Sequence, residues 1–160
     1  MGYAEILKTF PLLAKISDED LLELAGVLEE RRFSAGEDIL KEGDTGSEMY
    51  ILIDGTVDVI RTTVYGDHFI CATLDGSMHC VFGEMAMIDN DKRSATVRAK
   101  TDCKTLVIDD IRFNHFLDHR PQAGVELLRF ISMNLVRNIR IENANLNLVF
   151  QALIEEIEEG

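Results

Sequence analysis

F-G-E-M-A-M-I-D-N-D-K-R-S-A-T-V, residues Phe82 to Val97, reads as a loop built to hold an anion. Gly83 admits a close backbone approach that a Cβ would block, and Glu84 to Ile88 read as one short helical turn whose free N–H groups point at the ligand. After the polar loop Asp89 to Lys92, Arg93 supplies a planar cationic fork, and the small residues Ser94 and Ala95 let backbone N–H groups approach the same anion. Glu84 and Arg93 stand nine residues apart on a tight loop between strands. One carboxylate and one guanidinium so placed suit a ligand bearing both a hydroxyl and a phosphate.

Upstream, G-E-D-I-L-K-E-G-D-T-G-S-E-M-Y-I-L-I-D-G-T-V-D-V (Gly36 to Val59) alternates apolar and polar positions between glycine-marked turns. Strands are expected at Arg31–Ser34, Asp38–Leu40, Met49–Ile53, Thr56–Thr62 and His68–Leu74, with turns at Gly36, Gly43, Gly46 and Tyr65-Gly66-Asp67. Asp54-Gly55 between two such strands is a hairpin signal. Beyond the loop, Ala95–Ala99 and Cys103–Ile108 continue the pattern, for about eight strands in all.

The period is helical at both ends. Ile6, Leu7, Phe10, Leu13 and Ile16 carry it through two short pieces interrupted by Pro11, and Ser17 caps a helix whose expected buried stripe is Leu21, Leu22, Leu24, Ala25 and Leu28. Asp109 or Asp110 caps a short helix through Leu117, and residues 121–158 read as one long helix. A heptad through 128, 132, 135, 139, 142, 146, 149, 153 and 156 is apolar at six of nine positions, a seam with polar interruptions. Its first half is expected to pack on the strands. The second half, with Leu146, Val149, Leu153 and Ile157, has no strand left to cover and is expected to meet a second copy.

The loop motif, F-G-E followed by R-S-A, and the glycine-spaced strands before it together resemble the cyclic-nucleotide-binding domain family of catabolite-activator-type regulators, kinase regulatory subunits and gated channels. The resemblance implies an α+β fold: a jelly-roll-like β-sandwich, or double-stranded β-helix, flanked by N-terminal helices and a long C-terminal helix. It divides one structural domain into a helical segment 1–30, a β-roll 31–109 with a phosphate cassette 82–97, and C-terminal helices 110–160, with dimer contacts along 128–157. It also implies that Glu84 binds the ribose 2′-hydroxyl, that Arg93 binds the cyclic phosphate, and that the amides of Ser94 and Ala95 complete the site. Phe82, Gly83, Met85 and Ala86 line it. Asn138, Glu142 and Asn143 lie where members place a group over the purine. Two positions depart from the family pattern. L-D-G-S-M-H-C-V-F-G-E carries Ser77 where Asp is usual and runs about two residues longer, and Lys92 stands where proline often precedes the Arg.

A net charge of −13, from 29 acidic against 16 basic side chains, sets a field that repels phosphate polymers and anionic membranes, so no nucleic acid and no membrane partner is expected. A local Arg and a ring of amides still suit a small cyclic monoanion. In activator-type relatives a DNA-reading helix-turn-helix follows the long helix; here E-E-I-E-E-G follows, with no Lys or Arg after Arg140. No apolar run reaches the roughly 18 residues of a membrane span and the N-terminus lacks a signal-peptide pattern, so a cytoplasmic protein is expected. Cys71, Cys80 and Cys103 lack C-x-x-C spacing and read as reduced thiols. His115 and His119 have the four-residue spacing of a metal pair but no third ligand beyond Asp118, so neither metal nor cofactor is expected.

The expected function is a non-enzymatic cyclic-nucleotide sensor, cyclic AMP favoured and cyclic GMP left open, acting as a homodimer on a downstream protein partner that the sequence does not name. Two alternatives share the fold: a nucleotide-independent dimeric interaction module, and a haem or redox sensor using Met78, His79 and Cys80.

Overall fold

In a computed structural model residues 2–159 are described. Met1 and Gly160, the outer ends of the expected segments 1–30 and 110–160, lie outside the described residues, as does the Glu159 side chain. The helices are α1 (Tyr3–Lys8), α2 (Asp18–Val27), α3 (Glu84–Asp89), α4 (Asp110–His119) and α5 (Pro121–Glu159), with 3-10 turns at Leu13–Lys15 and Gly76–Met78. The strands are β1 (Glu29–Phe33), β2 (Asp38–Leu40), β3 (Met49–Asp54), β4 (Thr56–Thr62), β5 (His68–Asp75), β6 (Val81–Phe82), β7 (Thr96–Ala99) and β8 (Cys103–Ile108).

Two four-stranded antiparallel sheets, ordered β1-β8-β3-β6 and β2-β7-β4-β5, face each other as a jelly-roll-like sandwich. The order corrects one expectation: Asp54-Gly55 joins β3 to β4 but makes no hairpin, since the two strands belong to different sheets. Gly55 does take a positive φ of 89°, as the turn residues require. An ideal Cβ there would sit 2.4 Å from the Asp102 carbonyl oxygen and 2.8 Å from Cys103 Sγ. The start of β8 therefore crowds the turn and the chain crosses between sheets. The hairpin is β4–β5, closed by the Thr63 N–H on the Asp67 carbonyl at 2.8 Å.

Because the first sheet is covered on both faces, β3 is buried from Met49 through Leu52. Met49 and Ile51 join Leu106 and Ile108 against a helical layer containing Leu7, Phe10, Leu24, Phe116, Leu127 and Phe130. Tyr50 and Leu52 face the other way, into the core between the sheets with Val57, Phe82, Val97 and Val107. Ser17 caps α2 as expected, its Oγ accepting from the Asp20 N–H at 3.1 Å. Leu22 leaves the expected stripe: it follows Leu21 by about 100° of helix rotation and is 66% exposed. Asp109 caps α4 through the Arg112 N–H.

Helix α5 buries Ala123, Leu127, Phe130, Ile131 and Asn134 against the roll, then runs on with residues 141–158 all exposed. No helix among the described residues is long and apolar enough to cross a membrane.

Candidate functional site

The cassette spans the gap between the sheets, entered from β6 at the edge of one and left by β7 within the other. Gly83 opens it at a φ of 78°, and an ideal Cβ there would meet the Glu48 carbonyl at 2.8 Å and Arg93 Nη1 at 2.9 Å. Only glycine tolerates both the conformation and the contact. At the other end the Arg93 backbone is pinned to the β2–β3 connection. Its N–H donates to the Asp44 carbonyl at 2.8 Å, and its carbonyl accepts from the Gly43 N–H at 2.9 Å.

The Arg93 side chain turns inward and is buried. Nη1 donates to the carbonyls of Glu48 (2.9 Å) and Gly83 (3.0 Å), and Nη2 lies 3.5 Å from the Glu48 carboxylate. Gly46 makes room, since an ideal Cβ on it would fall 2.7 Å from Nη2. A guanidinium carries five N–H groups, and Nε makes no hydrogen bond among the described residues. The Ser94 and Ala95 backbone N–H groups likewise find no protein acceptor there. Burial pulls the guanidinium below its ordinary pKa, opposed by Tyr50, Glu48 and Glu84. A rigid cation beside free amides is what a phosphate requires.

Glu84, the first residue of α3, is also buried. Burial raises its carboxyl pKa above the ordinary 4.5, while its own backbone N–H, Asn134 and Arg93 oppose the rise. Asn134 of α5 donates through Nδ2 to Glu84 Oε1 at 3.5 Å. The same amide bonds the Val81 backbone of β6, donating to its carbonyl at 3.2 Å and accepting from its N–H at 3.4 Å. A link between cassette and long helix thus exists, through a residue that the sequence reading overlooked.

The other expected positions divide. Met85 is exposed, with Ser94 Oγ 3.9 Å from its sulfur, whereas Ala86 and Ala95 are buried. The Phe82 ring stacks parallel on Tyr50, centroids 5.2 Å apart, inside the sandwich core. Asn138 is half-buried and Asn143 exposed. Glu142 accepts from Arg61 of β4 at 2.8 Å, tying α5 to the β4–β5 hairpin. Glu48, a second overlooked residue, is shared between Arg93 and Arg31, with Arg31 Nη1 at 3.2 Å.

His79, at a positive φ of 52°, packs edge-on against Phe10 with centroids 4.7 Å apart. Cys80 beside it is fully buried, its thiol pushed up to about 11 by desolvation. The long 75–81 loop is therefore held between Phe10, which follows α1, and α5, where Arg137 donates to the Met78 carbonyl. The His115 and His119 rings stack on each other at 3.9 Å, and among the described residues no three His, Cys, Asp or Glu side chains gather as a metal site.

Comparison with known proteins identifies the family. The family model described as "Cyclic nucleotide-binding domain" matches residues 30–120, more than half the chain. The "cAMP-dependent protein kinase regulatory subunit" of Dictyostelium discoideum is 36% identical over 115 residues, covering 70% of this chain and 35% of that protein. The chain thus spans about a third of the length of that curated relative. Among solved structures, the catabolite activator protein of Thermus thermophilus superposes with a TM-score of 0.72 at 25% identity, over 87% of this chain and 62% of the other. The regulatory subunit of a cAMP-independent protein kinase A from Trypanosoma cruzi, bound to guanosine, gives 0.67 at 27% identity over 79% and 43%. The fold, the cassette and the matched family model converge: the chain belongs to the cyclic nucleotide-binding domain family.

Proposed function

We propose that the protein is a non-catalytic sensor that binds a cyclic nucleotide in the cassette, cyclic AMP favoured, and signals by reorienting α5 within a homodimer. The observation that carries the reading is Arg93: a buried guanidinium, fixed by two carbonyls, beside the free N–H groups of Ser94 and Ala95. In this reading Arg93 and those amides hold the cyclic phosphate and Glu84 accepts the ribose 2′-hydroxyl. Of the expected purine contacts Asn138 is the half-buried one; Glu142 is engaged by Arg61, and Asn143 is exposed. An affinity near micromolar, about 8 kcal/mol, suits a small buried sugar phosphate.

Ligand bridging cassette and helix favours one orientation of α5 by its differential affinity for that state. The dimer reading rests on Leu146, Val149, Leu153 and Ile157, each about half or more exposed along one side of the helix. The regulatory-subunit relative supports a kinase as downstream partner. A nucleotide-independent module is the second reading, favoured by the Glu48 carboxylate that already faces Arg93 and would compete with a phosphate. Thermal shift against cyclic AMP, cyclic GMP and guanosine separates them. Stabilisation by a cyclic nucleotide supports the first reading, and none by any of the three at millimolar concentration supports the second.

A further inference from the structure

Asn134 is the one buried polar residue of α5 among the described residues. Its amide orientation is set by the Val81 backbone. Oδ1 accepts from that N–H and Nδ2 donates to that carbonyl, whereas a flipped amide would oppose donor to donor and acceptor to acceptor. Arg137 Nη2 also donates to Oδ1, fixing it from one helical turn away. With one Nδ2 hydrogen given to Val81, the other has the Glu84 carboxylate as its acceptor. No other side chain hydrogen-bonds that carboxylate among the described residues. Strand β6 is only two residues long and pairs with β3 alone, so the Asn134 amide covers its free edge.

We propose that Asn134 is a positioning residue of the ligand site: its amide holds the Glu84 carboxylate in the orientation that meets a ribose hydroxyl, making the docking of α5 part of that site. The inference rests on the reading that Glu84 takes the ribose. It deepens that reading by naming the group that couples ribose to helix. Moving α5 away strips a buried carboxylate and a strand edge of their partner together, and a bound ribose hydroxyl replaces part of what Glu84 would lose.

The test is calorimetric titration of wild-type protein, Asn134→Leu and Asn134→Ala with cyclic AMP and with its 2′-deoxy analogue, after circular dichroism has shown the fold intact. Wild type is expected to prefer cyclic AMP. Asn134→Leu is expected to weaken cyclic AMP about tenfold, the loss of one hydrogen bond to a charged group, while leaving the 2′-deoxy analogue within about twofold. Asn134→Ala carries the same comparison should the leucine variant not fold. Equal weakening of both ligands would mean that Asn134 serves packing alone, and no weakening would remove it from the site; either overturns the proposal. Wild type binding neither nucleotide would instead refute the cassette reading on which the proposal rests.

Discussion

Replacing Gly46 by alanine probes the cassette without removing any group from it. The ideal Cβ would lie 2.7 Å from Arg93 Nη2 and 2.9 Å from Nε, against an ordinary contact of 3.4 Å or more. The guanidinium must therefore retreat by about 0.7 Å, the difference between 2.7 and 3.4 Å. It is held by bonds of 2.9 and 3.0 Å to two carbonyls, so the movement misaligns its free donors with any phosphate. Hydrogen bonds to charged groups contribute roughly 1.5–3 kcal/mol each, so one such loss weakens cyclic AMP about 10- to 150-fold. Stability should barely change. Gly46 does not require a positive φ, and alanine restricts the unfolded chain by about 0.4–1 kcal/mol, which offsets the displaced guanidinium. Gly36→Ala is the control. Its φ of 90° makes alanine cost about 1–2 kcal/mol, with nothing within 4 Å of the new Cβ and Arg93 untouched. Calorimetry and thermal melts on both variants should show affinity lost in the first and stability lost in the second. Wild-type affinity in Gly46→Ala, or matching affinity losses in both, would refute the placement of phosphate at Arg93.

The raised pKa of Glu84 has two consequences. A folded pKa above 4.5 means that its contribution to stability is present at acid pH and is lost as pH rises through the folded value, so Glu84→Gln should raise the melting temperature at pH 7. Nucleotide affinity should run the other way, falling as pH drops through that value, because a ribose hydroxyl favours the ionised carboxylate; Arg93 and, beyond Asn134, Arg137 are the cations around it, and the glutamine variant should titrate flat. Introducing Glu at both Leu146 and Leu153, about half exposed in the single chain, should give a monomer by sedimentation with the melting temperature of the isolated roll unchanged; a wild-type monomer would sink the dimer. Phe10→Ala should cost about 3–5 kcal/mol in denaturant unfolding, since the ring is 2% exposed and packs edge-on against both His79 and Phe130.

The elements legible in the sequence were those with a local cause. Ser17, Asp109 and the glycines at positive φ mark helix starts and turns by their own chemistry, and the 3.6-residue period of α5 is long enough to read. Asp54-Gly55 shows the limit: turn residues report a local φ, but whether the flanking strands share a sheet depended on β8, some 50 residues on. Strand β6, with two residues, is too short for any period. Within the site, Glu84 and Arg93 were readable because the motif places them. Glu48 and Asn134 were not, because each owes its role to a partner 45 to 50 residues away in sequence. Asn138, Glu142 and Asn143 follow from where the resemblance places a group over the purine, whereas Asn134, which the helix turns inward one turn before Asn138, is marked by no motif.

Titration calorimetry with cyclic AMP on wild-type protein and Arg93→Ala is the most direct test of nucleotide binding at the cassette. Wild type is expected to bind near micromolar, and Arg93→Ala to lose about a hundredfold or more through the missing charge-assisted bonds. No heat from wild type at millimolar nucleotide, or equal affinity in the two proteins, would contradict it.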